Sequence, residues 1–192
     1  MDMDKAIVIL TAKCGVPMMR KLIWLIAVLC LIAQPVVANE RVTLGDGRVS
    51  FIPPAGFKQL TKEEIAQKYF RGNPPQYVFA DETLTTTVAI TFSNAKVSPE
   101  QLSEYKEAME AMLPRLIPGL RWLTREIIEL SGRKWFHLEM TSNAIDTDIH
   151  NHLYSTSFDG KALIFGFNST VKEYPKMKVA LEKSVQSIKL SD

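Results

Sequence analysis

Two stretches of this chain repeat apolar side chains at helical spacing, and the runs around them alternate with a period near two. Leu102, Tyr105, Met109, Met112 and Leu116 make the first stripe, with charged residues between them. Tyr174, Met177, Leu181, Val185 and Ile188 make the second, within a helix expected over residues 172–188. Ser98-Pro99-Glu100 opens the first of these helices with proline in its starting turn, and Pro114 and Pro118 are expected to close it. Thr61 followed by Glu64 spells a capping box and predicts a short helix to about residue 70. The strands expected are 41–44 and 48–52 around the turn Gly45-Asp46-Gly47, then 76–80, 83–92, 122–130, 133–142, 147–158 and 162–169.

Asp159-Gly160 is a two-residue hairpin signal, and it sets the register of the strands on either side. With Phe158 opposite Lys161, Tyr154 faces Phe165, Thr156 faces Leu163 and His152 faces Phe167. The other face carries Leu153, Ala162 and Ile164, so both faces are apolar enough to need a cover. The fold class expected is therefore α+β: a central antiparallel sheet with helices on both faces, an α/β/α sandwich.

The order of elements, with the run Phe51-Ile52-Pro53-Pro54-Ala55-Gly56-Phe57 closing the first hairpin, resembles the PsbP-like superfamily. That superfamily has PsbP, Mog-type Ran-binding and DcrB-like branches, and the resemblance spans residues 41–190. In setting the chain is similar to exported bacterial DcrB-like proteins, though it lacks the lipidated cysteine many of them carry. The resemblance implies a PsbP-like sandwich with a non-enzymatic, binding or accessory role, and it transfers no catalytic residue.

The first 38 residues change the picture of where the chain works. Arg20 and Lys21 precede an unbroken apolar run over residues 22–33, Gln34 and Pro35 end it, and Val36-Val37-Ala38 offers a cleavage site. Residues 18–38 thus read as a signal peptide with Asn39 as the mature N-terminus, and residues 1–17 as an extension ahead of the true start. The apolar run is too short for a membrane-spanning helix, which needs about 20 residues, so no stable anchor is expected after cleavage. A periplasmic or secreted location follows as an expectation, with a single domain over residues 39–192.

Composition then removes several kinds of chemistry. Both cysteines, Cys14 and Cys30, lie ahead of the expected cleavage point, so the domain has no disulfide, thiolate ligand or cysteine nucleophile. Residues 1–38 also hold Lys5, Lys13, Arg20 and Lys21 against Asp2 and Asp4. Without them, the chain's 23 basic and 21 acidic residues come into balance. A neutral domain with no basic stripe is not built to bind nucleic acid. An envelope protein or a small ligand is the partner expected.

The run Asp146-Thr147-Asp148-Ile149-His150-Asn151-His152 contains two of the chain's 3 histidines. If Ser142 and Thr147 flank a four-residue loop, Glu139 faces His150 and His137 faces His152. His137, Glu139, Asp148, His150 and His152 would then share one face, a donor set suited to zinc or copper. Ser155, Ser157 and Ser169 lie near these histidines in sequence, but none has a nucleophile-elbow context, so hydrolysis ranks below binding. Glu63-Glu64 and Asp81-Glu82 read as helix-start and turn residues, the methionines Met109, Met112 and Met177 as core, and Asn168-Ser169-Thr170 as an accidental glycosylation match. The segment Phe70 to Tyr77, with Gly72, Asn73, Pro74 and Pro75, is the loop most open to a partner.

Overall fold

A computed structural model describes residues 40–70, 72–144 and 147–191. The expected extension and signal peptide lie outside these residues, as do Arg71 and Asp146. Among the described residues, ten strands and three α-helices follow one another in the order β1 (Val42–Leu44), β2 (Val49–Phe51), β3 (Lys58–Gln59), α1 (Lys62–Lys68), β4 (Tyr77–Ala80), β5 (Thr86–Lys96), α2 (Leu102–Leu116), β6 (Arg121–Leu130), β7 (Arg133–Asn143), β8 (Asp148–Phe158), β9 (Lys161–Thr170), α3 (Tyr174–Gln186) and β10 (Lys189–Leu190). A 3-10 turn, Pro99–Gln101, leads into α2. Among the described residues, no helix is long and apolar enough to cross a membrane.

Seven strands form one antiparallel sheet in the order β3-β4-β5-β9-β8-β7-β6, and β1-β2-β10 form a small second sheet. The Asp159-Gly160 hairpin has the register read from the sequence, with Tyr154 opposite Phe165 and His152 opposite Phe167. Because side chains alternate between faces, each face gathers its own core. On one face Trp135, Tyr154, Phe165, Phe167, Val88 and Ile90 pack against Leu181 and Val185 of α3, against Ile188 just beyond that helix, and against Val49 and Phe51. On the other, Phe136, Leu138 and Met140 meet Leu102, Met109 and Leu113 of α2. Ile65 of α1 covers Val78, Ala80 and Ala89. The covered two-sided sheet is the expected α/β/α arrangement.

Local chemistry accounts for the boundaries. Thr61 accepts from the Glu64 backbone N–H at 3.2 Å, and the Glu64 carboxylate accepts from the Thr61 N–H at 2.7 Å, closing the capping box of α1. Pro114 does not end α2, which runs on to Leu116. A proline so close to a C-terminus forfeits one hydrogen bond, and the Ile117 N–H still reaches the Leu113 carbonyl at 2.9 Å. The α2 stripe also differs from its expected line. Met112 is 43% and Leu116 65% exposed, while Leu113 is buried. The contact face follows Leu102, Met109 and Leu113, steps of seven and four, so the last turn rotates Met112 and Leu116 outward. The C-terminal helix stops at Gln186 rather than at Ile188, because Lys189 and Leu190 pair with Ser50 and Val49 as β10.

The turns of the two sheets are tied by charge. Arg48 binds Asp46 and Asp159 together and lies over the Phe158 ring at 5.0 Å. The long outer strand β6 carries a bulge between Trp122 and Thr124. Such a kink blunts an edge that could otherwise recruit another strand.

Candidate functional site

The β7–β8 hairpin closes one notch further along than the sequence suggests. Asn143, not Ser142, stands opposite its partner across the turn, pairing with Asp148. Glu139 therefore faces His152, His137 faces Tyr154, and Thr141 faces His150. The slide is two residues, so every side chain keeps its expected face. The turn is stitched by the Ala144 N–H to the Thr147 carbonyl at 2.8 Å and by Asn143 Nδ2 to Asp148 Oδ1 at 3.2 Å.

The consequence is that the histidines extend the rows of the α3-side core. His137 continues the row Tyr154–Phe165–Ile90, and Glu139 and His152 continue the row Phe167–Val88. Polar side chains thus replace aromatic ones where the sheet passes under the start of α3. Their side chains are largely shielded, with 10% of His137, 12% of His152 and 19% of Glu139 exposed.

Shielded polar groups need partners, and these form a continuous chain. Glu126 Oε1 lies 3.1 Å from His137 Nδ1, His137 Nε2 lies 3.0 Å from His152 Nδ1, and His152 Nε2 lies 2.9 Å from the Tyr174 hydroxyl. A carboxylate can only accept, and a neutral imidazole has one donor and one acceptor. His137 therefore donates from Nδ1 to Glu126 and accepts at Nε2 from His152. His152 in turn accepts at Nε2 from the Tyr174 O–H. The tautomers of both rings follow from the position of Glu126.

A second short chain fixes Glu139. His150 Nε2 reaches Glu139 Oε1 at 2.8 Å, and the Thr124 hydroxyl donates to Oε2 at 2.9 Å. Burial is the largest influence on the Glu139 carboxyl and pushes it up. The hydrogen bonds from His150 and Thr124 and the nearby histidines together outweigh it and leave it below its ordinary value. His152 goes to about 4, chiefly through burial, with the attraction of Glu139 opposing. Burial raises Tyr154, and it pushes Tyr174 up to about 12. The rings also stack, His150 on Tyr174 at 3.6 Å and His137 on Tyr154 at 4.3 Å between centroids.

Ligand atoms of His137, Glu139 and His152 all lie within 4.8 Å of one another, a spacing from which one ion could be held. His150 touches Glu139 and Tyr174 at the border of this group. Asp148 shares the face but stands beyond His150 at the strand end, where Asn143 holds it, and it takes no part. Three contributors have no sequence signal of their own. Glu126 and Thr124 depend on the β6–β7 register, and Tyr174 reads there simply as part of an apolar helical stripe.

The serines do not complete a hydrolytic arrangement. Ser155 and Ser157 point to the opposite face from the histidines, where Ser157 donates to the Val97 carbonyl at 2.7 Å. Ser155 Oγ is buried without a partner among the described residues, and Ser169 pairs with Thr86 at 2.9 Å. Glu64 and Asp81 serve as the helix-start and turn groups expected, Asp81 gathering Thr83, Thr85 and the Thr86 N–H. The sequon Asn168-Ser169-Thr170 lies in β9, a central strand, with Ser169 buried.

Sheet order, two-sided cover and element sequence define a PsbP-like α+β sandwich, and solved structures carry the same fold. The cyanobacterial PsbP (CyanoP) of Synechocystis sp. PCC 6803 superposes with a TM-score of 0.57 at 14% identity, over 82% of this chain and 96% of that one. LpqN, involved in cell envelope biogenesis of Mycobacterium tuberculosis, matches with a TM-score of 0.50 at 12% identity, over 80% and 90%. PA94 of Pseudomonas aeruginosa, a protein of unknown function described as a putative regulator, gives 0.50 at 11%, over 80% and 97%. No protein-family model and no curated protein sequence matches the chain. At these identities the likeness is one of fold.

Proposed function

We propose that this is an exported, non-catalytic binding protein of the cell envelope whose ligand is a divalent metal ion, zinc or copper, held by His137, Glu139 and His152. The observation that carries the reading is the convergence of their ligand atoms within 4.8 Å in a largely shielded position. The hydrogen-bond chain supports it further. Glu126 on Nδ1 of His137 leaves Nε2 with its lone pair directed inward, the orientation that carboxylate–histidine–metal arrangements use. Among the described residues Ser155, Ser157 and Ser169 make no hydrogen bond to a histidine, in keeping with a binding rather than a catalytic role. The leader over residues 18–38 supports export, and LpqN offers a PsbP-like sandwich already associated with an envelope.

Calorimetry of the purified protein with zinc tests the reading. One saturable equivalent is expected, weakening as pH falls, since protons compete for imidazole. Replacing His137 and His152 together by Ala removes it. A flat titration with both zinc and copper, or binding that survives the double replacement, overturns the proposal.

A further inference from the structure

On the face of the large sheet opposite the histidines, α1 covers one end and α2 the other, and the middle of β8 and β9 lies between them. Side chains there change character along the strands. The row Ala89–Gly166–Leu153–Leu138 is apolar, and the next row is Thr87–Asn168–Asn151–Met140. Over the polar part of that row opens a cleft of about 480 Å³, walled by Tyr69 and Leu84 on one side and Ala144 and Thr147 on the other. Small-molecule sites span about 300–1,000 Å³.

The floor holds two carboxamides, paired across β8 and β9, with hydrogen-bonding capacity left over. Asn151 Nδ2 donates to the Ser142 hydroxyl at 2.9 Å and to the Ile149 carbonyl at 3.3 Å, so its Oδ1 remains to accept. Among the described residues, the Asn168 side chain has no hydrogen-bond partner. Lys68 is the one cation among the described residues around the cleft, and no carboxylate occurs there. Its Nζ donates to the Leu84 carbonyl at 3.0 Å, which steadies that wall.

We infer that this cleft binds a neutral saccharide, with Asn151 and Asn168 holding its hydroxyl groups. A sugar hydroxyl both donates and accepts, which matches the paired C=O and NH₂ of a carboxamide. The C–H surface of the ring needs an apolar wall, and Tyr69, Leu84 and Ile149 supply one. A purely apolar ligand would shut both carboxamides away from water without partners, at a cost. A cationic ligand would meet Lys68 with no opposing charge. An added peptide strand needs an open sheet edge, and β8 and β9 are each paired on both sides. The site is independent of the metal centre, because alternate side chains of β8 point to opposite faces, Asn151 to one and His150 and His152 to the other.

The test is a nuclear magnetic resonance titration of the isotope-labelled protein with maltose, cellobiose, lactose and chitobiose in turn, and with trialanine as a peptide control. At least one disaccharide should give saturable shifts, with a Kd of about 1 mM or tighter, centred on the side-chain amides of Asn151 and Asn168. Asn168→Ala should weaken that binding about tenfold or more, and Asn168→Asp, which keeps the shape but loses the donors, should weaken it as well. Urea midpoints near that of the wild type show that both variants keep the fold. His152→Gln should leave the sugar affinity within about threefold. No saturable shift with any of the disaccharides, affinity that survives both Asn168 variants, a loss with His152→Gln, or the same amides moved by trialanine each overturns the assignment.

Discussion

Nε2 of His137 and Nδ1 of His152 stand 3.0 Å apart, between rings whose planes differ by 6°. One proton joins the two rings, and a further proton on His152 would put a cation in a largely shielded position beneath α3. Burial opposes that charge and lowers His152 to about 4.

The stability of the metal-free protein should depend on pH accordingly. Above the ordinary histidine value, His152 is neutral folded and unfolded, and it contributes no pH dependence. Between about 6.5 and 4 the unfolded chain binds a proton that the folded one refuses, so stability falls on acidification. The loss is about 1.4 kcal/mol per pH unit, about 3 kcal/mol in all. Glu139, held below its ordinary value, adds to the loss in the same direction at lower pH. Urea melts from neutral pH down to about pH 4 should show this slope, and His152→Gln should flatten it. A variant as steep as the wild type would assign the slope to other groups.

The α3 docking should be visible in a pair of substitutions. Leu181 is 3% exposed in the core, whereas Val179, two residues earlier, is 60% exposed. Leu181→Ala should cost about 2–5 kcal/mol, and Val179→Ala should stay within about 0.5 kcal/mol. Equal, small changes in denaturant midpoint would mean that α3 does not close the sheet as described.

How much of this was legible in the sequence depended on how locally each feature is encoded. Asp159-Gly160 is a turn with one favoured geometry, so Tyr154 opposite Phe165 followed from two residues. The β7–β8 turn has no such residue, and the pairing of Glu139 slid from His150 to His152, although the pleat preserved the face. Periodicity placed Leu181, Val185 and Ile188 in the core, but it could not mark the last turn of α2, where Met112 faces solvent. Nor could it separate Tyr174 from the hydrophobic stripe that contains it. The contact between Tyr174 and His152 spans 22 residues and exists only once α3 lies across the sheet. Lys189 and Leu190, too short for a pattern, became a strand through pairing with β2.

Export has its own readout. Mass spectrometry of the protein recovered from its native host should find an N-terminus near Asn39, in the envelope or medium. Intact protein beginning at Met1 or Met18 in the cytosol would contradict it.

The final prediction separates the group of residues brought together by folding from the set suggested by sequence alone. Glu126 touches no metal position but accepts from Nδ1 of His137 at 3.1 Å, fixing the tautomer that turns Nε2 inward. A glutamine there can present its amide nitrogen instead of an acceptor, which lets the imidazole adopt the other tautomer. Glu126→Gln should therefore weaken zinc binding about tenfold or more, the usual effect of losing a histidine's supporting carboxylate. Asp148 was an equal candidate ligand in the sequence, yet it sits at the strand end with Asn143. Asp148→Asn should accordingly leave the affinity unchanged, and neither substitution should alter the circular dichroism spectrum. Calorimetry on the two variants reads the difference directly. If Asp148→Asn is the damaging one, the ion is held at the hairpin turn, and the arrangement around His137 and His152 serves only to pack α3 against the sheet.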